Sequence, residues 1–182
     1  MPPPWSFEMR TLLITVGSTK FDALIESIEN NLKSLHRLIE DFKITRLFIQ
    51  HGKSPFRNQE RIQKILGIRV EAVEYVNPDE MSSLLASSTV ILSHAGAGTI
   101  FEVLRGSKAA LEAFSVIPNS TLQDSHQSEL IEELISMNCP IGVASVDDPF
   151  SAVSVNRKSE LASFYLPEPN YKELSGIIEA CL

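Results

Sequence analysis

The fold of this chain is indicated by Thr89–Leu92 (TVIL) and by the residues that follow, Ser93–Glu102 (SHAGAGTIFE). The first four residues are apolar or β-branched and predict a buried strand. The two glycines that come next predict a tight turn, in which the backbone can approach a ligand closely. A helix is predicted to begin near Gly98. Because free N–H groups at a helix start attract phosphate oxygens, this strand-loop-helix unit is a candidate phosphate site.

Thr99 and Glu102 each have two interpretations. Thr99 can cap the helix or bind a phosphate. Glu102 lies three residues later, in a capping-box position, but its carboxylate could instead accept hydrogen bonds from two hydroxyl groups of a ribose. Isolated glycine motifs are weak signals, so the spacing alone leaves both interpretations open.

Strands and helices are predicted to alternate through the rest of the chain. Apolar runs predict further strands at Thr11–Val16, Thr45–Gln50, Arg69–Tyr75 and Ile141–Ala144. Helical spacing predicts one long helix from Phe21 to about Phe42, a short helix opened by Asn77, and helices over Gln127–Met137 and Tyr171–Leu182. Residues 147–166 are predicted to be irregular. This order predicts an α/β fold, a parallel sheet with helices on both faces.

Three loops of small and polar residues follow predicted strands: Gly17-Ser18-Thr19, His51-Gly52-Lys53 and Ser93–Thr99. Loops after parallel strands emerge at the carboxyl edge of the sheet, where ligands of such sheets bind. Gly17-Ser18-Thr19 is a candidate anion nest, with a strand-to-helix turn capped by Ser18 or Thr19 as the alternative. It has neither the P-loop nor the dinucleotide-fingerprint spacing.

A fourth polar stretch, Asp124-Ser125-His126-Gln127, precedes a predicted helix. Asp124 or Ser125 could cap that helix. His126 and Gln127 could direct imidazole and amide groups at a polar ligand. The spacing does not decide between these roles.

Composition narrows the classes of function. Residues 1–9 are polar and proline-rich, which predicts a flexible lead, and the length of 182 residues predicts a single domain over 10–182. Its net charge of −7 argues against binding to nucleic acid. Its longest apolar runs are too short to span a membrane, so contact with a membrane would need a partner. The four histidines show no metal-ligand spacing, so we expect no metal site.

The motif Ser93-His94-x-Gly96-x-Gly98-Thr99-x-x-Glu102, followed by Asp124-x-His126-Gln127, resembles the donor-binding C-terminal domain of glycosyltransferase family 28. Leu13–Ile25 (LITVGSTKFDALI) narrows this resemblance to the catalytic subunits of eukaryotic two-chain UDP-N-acetylglucosamine transferases of asparagine-linked glycosylation. The similarity runs from about Met9 to Ala144, and the motifs occur in the expected order.

The resemblance implies a Rossmann-like domain, the C-terminal half of a GT-B glycosyltransferase. It implies transfer of N-acetylglucosamine from UDP-GlcNAc to dolichol-diphospho-GlcNAc, which gives dolichol-diphospho-chitobiose. UDP-GlcNAc would be a substrate, with no cofactor. A membrane-anchored subunit would supply the acceptor domain and would recruit this cytoplasmic chain to the cytosolic face of the endoplasmic reticulum. The enzyme would be active only with that partner.

The resemblance also implies roles for residues in the predicted loops. Glu102 would bind the ribose, and His126 and Gln127 would contact the donor sugar or the diphosphate. The remaining donor-binding residues would be Gly17, Ser18, Thr19, His94, Gly96, Gly98 and Thr99. The general base is unassigned: His94 and His126 are weak candidates on this chain, and the partner subunit is the other source.

One segment departs from the family pattern. Members usually follow the Glu102 helix with Gly-Lys-Pro and an apolar strand, whereas this chain has Gly106–Phe114 (GSKAALEAF), without the proline and with Glu112 in the apolar run. The departure keeps open a non-catalytic module that binds nucleotide sugars or has a regulatory role. A self-sufficient cytosolic sugar-nucleotide enzyme is the other alternative.

Overall fold

Six parallel strands form the centre of the molecule. In the computed structural model, residues 9–119, 126–153 and 158–166 are described. The strands in these residues are Thr11–Thr15 (β1), Arg46–Gln50 (β2), Arg69–Val73 (β3), Val90–His94 (β4), Ala113–Ile117 (β5) and Gly142–Val143 (β6). The helices are Asp22–Asn30 (α1), Leu32–Asp41 (α2), Gln59–Leu66 (α3), Pro78–Ser87 (α4), Ala97–Arg105 (α5), His126–Ser136 (α6) and Lys158–Ser163 (α7).

The strand order is β3-β2-β1-β4-β5-β6, and every neighbouring pair is parallel. The order reverses between β1 and β4, so the connections that leave these two strands run to opposite sides. A crevice opens at such a point, beyond the carboxyl ends of the strands. The predicted α/β fold is confirmed, and the predicted strands lie within two residues of the observed ones.

Helices cover both faces of the sheet, as predicted. Alternate residues of β1 point to opposite faces: Leu12 and Ile14 join the core under α1, α2 and α3, whereas Leu13 joins the core under α4, α5, α6 and α7. All three side chains are fully buried. A strand that is buried on both faces explains the continuous apolar run at the start of the chain.

The predicted long helix from Phe21 to about Phe42 is wrong, because the structure divides it into α1 and α2 at Asn31. Asn31 has φ −98° and ψ 37°, outside the helical region. Its side-chain amide donates to the backbone oxygen of Ser27 and to the Ser27 hydroxyl, at 2.9 and 3.0 Å. Such local side-chain hydrogen bonds compete with helix geometry. The spacing of apolar residues contains no information about them, so the break was not predicted.

Two short helices of the structure were not predicted from the sequence. α3 was not predicted, and α7 lies in 147–166, which was predicted to be irregular. α7 has six residues and buries only Leu161, so it is too short to show a helical period. The lead at 1–8, Asp124, Ser125 and the predicted helix Tyr171–Leu182 lie outside the described residues.

The fifth strand is present despite the departure from the family pattern. β5 is buried along its whole length, and Glu112 lies just before it, at the amino edge of the sheet. There the Arg10 guanidinium donates to both Glu112 carboxylate oxygens, at 2.6 and 3.3 Å, and to the Phe42 backbone oxygen at 2.7 Å. Lys158 adds a contact of 3.1 Å to the same carboxylate. This cluster connects β1, α2, β5 and α7.

We expect Glu112→Gln to lower the free energy of unfolding by about 1 kcal/mol at neutral pH, since it weakens a bidentate, partly buried ion pair. The hydrogen bond from Arg10 holds the pKa of Glu112 below its ordinary value of 4.5. The carboxylate therefore contributes fully above the unfolded-state pKa, and its contribution is lost as the pH falls through the lower folded-state pKa. Urea unfolding at a series of pH values would measure both effects.

The exposed Glu132 on α6 provides the control, and Glu132→Gln should leave stability nearly unchanged. A Glu112→Gln deficit that stays constant down to pH 3 would contradict the ion-pair explanation.

Candidate functional site

The loop after β1 begins with a glycine that no other residue could replace without strain. Gly17 has φ +67°, in the left-handed region. A Cβ at this position would lie 2.7 Å from Cε1 of His94. The backbone of the first loop therefore lies directly against the imidazole that ends β4.

The His94 ring is packed between two glycines, because a Cβ on Gly96 would also overlap with its Nε2 and Cε1 atoms. Burial lowers the pKa of His94 below its ordinary 6.5, and the smaller effect of the Thr15 backbone opposes this shift. The ring is therefore uncharged at neutral pH. Within the described part of the chain, Nδ1 makes no hydrogen bond of normal geometry.

The loop after β2 packs against the first loop. Gly52 has φ +56°, and a Cβ there would overlap with the Thr19 oxygen and come within 2.7 Å of the Gly17 oxygen. The Lys53 N–H donates to the Thr19 oxygen at 3.2 Å. The structure thus brings together the three loops that the sequence placed at the carboxyl edge.

Gln50, which the sequence analysis missed, holds the first loop in place through buried hydrogen bonds. Its side chain is only 2% exposed and lies at the end of β2. Its Nε2 donates to the backbone oxygens of Gly17 at 2.5 Å and Glu74 at 2.9 Å, and its Oε1 accepts from the Thr15 hydroxyl at 2.6 Å. The only signal in the sequence is a polar residue at the end of an apolar strand.

The first loop has no capping side chain. Phe21 precedes α1 and forms no side-chain cap, so the alternative interpretation, in which Ser18 or Thr19 caps this helix, is wrong. The Thr19 hydroxyl instead donates to the Val16 oxygen at 3.0 Å. Ser18 is exposed, and its N–H makes no hydrogen bond to any described residue.

The start of α5 is also open. The helix begins at Ala97 with Gly96 before it and no side-chain cap. Thr99 therefore lies in the first turn, so the capping interpretation is wrong for Thr99 and the capping-box interpretation is wrong for Glu102. The Glu102 carboxylate is exposed and accepts a hydrogen bond from the Ser82 hydroxyl of α4.

Gly98 differs from the other glycines of the site. It has an ordinary φ, and a Cβ there would meet nothing within 4 Å. Helical Cα–Cβ bonds tilt toward the helix start, so a Cβ here would lean toward the start of α5. No contact within the described residues requires glycine at 98, so a side chain there would enter open space.

The first residues of α6 reach the same edge. Oε1 of Gln127 accepts from the backbone N–H of Asn119 at 2.9 Å. Asn119, which is buried, donates from Nδ2 to the Lys20 oxygen at 3.4 Å and so connects this segment to the first loop. His126 is partly exposed, with Nδ1 3.5 Å from the Glu129 carboxylate. Sequence reasoning missed Asn119.

The chemistry of this edge suits an anion. Among the described residues, the Ser18 N–H and the first N–H groups of α5 have no acceptor, and they lie with the positive end of the α5 dipole at the edge that carries the His94 imidazole. Of the nearby cations, Lys20 is 2.7 Å from Asp22, whereas Lys53 is exposed. Over the described ranges, no cluster of His, Cys, Asp or Glu could hold a metal ion, and no helix is long and apolar enough to cross a membrane.

Comparisons with known proteins agree with this geometry. The model of the glycosyltransferase family 28 C-terminal domain matches residues 11–147. The UDP-N-acetylglucosamine transferase subunit ALG13 of Cryptococcus neoformans is 30% identical over 164 residues, which cover 76% of this chain and 78% of the relative. The subunit of the same name from Yarrowia lipolytica is 26% identical, with 94% of this chain and 83% of the relative covered.

Two solved structures share the fold. An NMR structure of ALG13 superposes with a TM-score of 0.51 at 18% identity and covers 76% of this chain and 78% of its own. The crystal structure of Acinetobacter baumannii MurG superposes with a TM-score of 0.60 at 18% identity, over 98% of this chain and 55% of MurG. The extent of the family match and the similarity to ALG13 subunits show that this chain belongs to glycosyltransferase family 28 and carries its C-terminal domain.

Proposed function

We propose that this chain is the donor-binding subunit of a transferase that moves N-acetylglucosamine from UDP-GlcNAc to dolichol-diphospho-GlcNAc and forms dolichol-diphospho-chitobiose. The observation that carries the proposal is the uncapped start of α5 at the switch point of the sheet, with Gly98 leaving open space in front of it. Relatives named UDP-N-acetylglucosamine transferase subunit support this donor.

The diphosphate of the donor would lie between the first loop and α5. Backbone N–H groups at Ser18 and at the start of α5 would donate to its oxygens, with the Thr99 hydroxyl beside them. The uncharged His94 ring would form the floor between Gly17 and Gly96. Its neutral state avoids the cost of a buried charge and still allows Nε2 to donate or accept a hydrogen bond.

Glu102 would bind the ribose of the donor. Because α5 starts at Ala97, the carboxylate is not used for capping, and only the Ser82 hydroxyl is seen to contact it among the described residues. An exposed carboxylate can accept from both ribose hydroxyls at once. His126 and Gln127 would approach the donor from the opposite side, with Gln127 held at the end of β5 by Asn119.

The reaction would be an inverting displacement at the anomeric carbon. The acceptor hydroxyl forms a bond to that carbon as the bond to the UDP oxygen breaks, and a general base takes the hydroxyl proton. Backbone N–H groups and the α5 dipole would stabilise the charge on the departing UDP, with no metal cofactor. Burial of His94 argues against its acting as this base, so we place the base on the partner subunit. The partly exposed His126 is the alternative on this chain.

The acceptor would be supplied by a second, membrane-anchored subunit. The relatives are named as subunits, which supports the need for a partner. We propose that this partner covers the carboxyl edge of the sheet and recruits the chain to the cytosolic face of the endoplasmic reticulum. β5 is intact despite the altered segment before it, which supports a folded donor-binding domain.

We expect Glu102→Ala to weaken UDP-GlcNAc binding by at least about tenfold, because loss of two hydrogen bonds to a carboxylate costs about 2–4 kcal/mol. Isothermal titration calorimetry on the full chain would measure this. Glu26→Ala, at an exposed position on α1, is the control and should bind like the unchanged chain. Equal affinities for Glu102→Ala and the unchanged chain would place the nucleotide elsewhere.

Gly98→Ala should separate stability from binding. Alanine is the better helix former, so we expect a stability gain of a few tenths to about 1 kcal/mol. The new methyl group would enter the space proposed for the donor. Steric overlap with the bound donor should cost about 1–3 kcal/mol and so weaken binding by roughly fivefold or more. Thermal unfolding and calorimetry would be compared with those of Asn30→Ala, an exposed position on α1. A Gly98→Ala chain that binds UDP-GlcNAc normally would argue against a ligand at this position.

Turnover itself should require the partner. We expect the chain alone to form no dolichol-diphospho-chitobiose from UDP-GlcNAc and dolichol-diphospho-GlcNAc, and to form it once membranes that carry the acceptor subunit are added. Chromatography of the lipid products would follow the reaction. Product made by the purified chain alone would favour a self-sufficient enzyme.

A further inference from the structure

Thr15 and Gln50 form hydrogen bonds with the backbone N–H and the backbone oxygen of Gly17. The Gly17 N–H donates to the Thr15 hydroxyl at 3.2 Å, and that hydroxyl donates to Oε1 of Gln50 at 2.6 Å. Nε2 of Gln50 then donates to the Gly17 oxygen at 2.5 Å. The three residues thus form a closed ring of hydrogen bonds, which we call the Gly17 ring, and both Thr15 and Gln50 are buried.

This ring fixes the conformation of Gly17. The N–H belongs to the peptide plane before its Cα, and the carbonyl belongs to the plane after it. The orientations of these two planes determine φ and ψ. Glycine has more backbone conformational freedom than any other residue, and the hydrogen bonds of the Gly17 ring remove that freedom here. The second amide hydrogen of Gln50 is bonded to the Glu74 oxygen, so the amide itself cannot turn.

The direction of the Ser18 N–H follows from the same geometry. In a trans peptide the carbonyl and the next N–H point in opposite directions, and the described chain contains no cis peptide bond. The Gly17 oxygen points inward, toward Gln50 and Gly52. The Ser18 N–H therefore points outward, away from the core. It makes no hydrogen bond to any described residue.

We propose that Gln50 is a positioning residue for donor binding: it holds the Gly17–Ser18 peptide in the orientation that presents the Ser18 N–H to the donor diphosphate. Without its amide, the Gly17 carbonyl loses its inward partner and the peptide can turn. A turned peptide presents an oxygen to the phosphate instead of an N–H. The inference rests on the proposed function, and it assigns the diphosphate, rather than the nucleoside, to this loop.

Gln50→Met tests this role, since methionine has a similar length and no hydrogen-bonding amide. Uridine and UDP are the two probes, and they differ only in the diphosphate. In titrations of the full chain, we expect UDP binding to weaken by about tenfold, because one hydrogen bond to a charged group is lost. Uridine binding should change by less than about twofold. In ¹⁵N-labelled protein, UDP should shift the Ser18 amide resonance, and Gln50→Met should reduce that shift.

Gln59→Met is a matched control. Nε2 of Gln59 also donates to a backbone oxygen, that of Val70 at 3.0 Å, but near the amino edge of the sheet. It should leave both affinities unchanged. Thr15→Val is a milder second variant if Gln50→Met fails to fold. It keeps the shape of the side chain and opens the Gly17 ring, so UDP binding should fall selectively by a smaller factor.

The two hypotheses fail in different ways. Equal losses for uridine and UDP in Gln50→Met, or unchanged UDP binding in a folded variant, would overturn the positioning role while Glu102→Ala still weakened both ligands. Should Gln50→Met not fold, unchanged UDP binding by Thr15→Val would overturn it. A native chain that binds neither probe, or whose Glu102→Ala variant binds both normally, would overturn the proposed function and this inference with it.

Discussion

The close packing of two glycine backbones against the His94 ring is the constraint on which the site depends. Any side chain at Gly17 or Gly96 would overlap with the imidazole, so both backbones can come this close to the ring only because both residues are glycine. The ring occupies the crevice between β1 and β4, where a parallel sheet of this order opens. Burial keeps it uncharged, and an uncharged ring can remain in such a position without an ionic partner.

The two edges of the sheet have different roles. At the amino edge, side chains satisfy one another: Arg10, Glu112 and Lys158 form an ion-pair cluster. At the carboxyl edge, side chains such as Gln50 and Asn119 use their hydrogen bonds to hold backbone. This leaves N–H groups of the first loop and of α5 without partners in the described structure. Buried side chains whose hydrogen bonds are all made thereby hold in place exposed N–H groups that have no partner.

The fold could be predicted from the sequence because its signals are local. Buried parallel strands appear as apolar runs, and amphipathic helices appear as apolar residues at a spacing of 3.6. The division at Asn31 and the short α7 could not be predicted, since one depends on side-chain bonds to Ser27 and the other buries a single leucine. The role of Glu112 in the apolar run could not be predicted either, because its partner, Arg10, is 102 residues away in the sequence.

The meeting of these loops at one edge of the sheet could be predicted for a different reason. The glycines and Glu102 belong to a family motif, and the loops could be placed at one edge by topology alone. The caps were wrong because Ser, Thr and Glu at the expected spacings have competing uses: the Thr19 hydroxyl bonds to Val16, and Glu102 is paired with Ser82. Gln50 belongs to no motif, and its role arises only when three strand ends meet.

A net charge of −7 raises the question of how such a chain would hold a diphosphate. Salt screens exposed charges beyond about 10 Å at 0.1 M ionic strength, so distant carboxylates contribute little at the mouth. Within that distance, a helix start carries the equivalent of roughly half a positive charge, and its N–H groups contact the anion directly. Such short-range donors outweigh a screened net charge only when their directions are fixed, since a turned peptide presents an oxygen instead. The hydrogen bonds around Gly17 fix that direction in the first loop, so the buried amide of Gln50 would affect the binding of an anion that it does not touch.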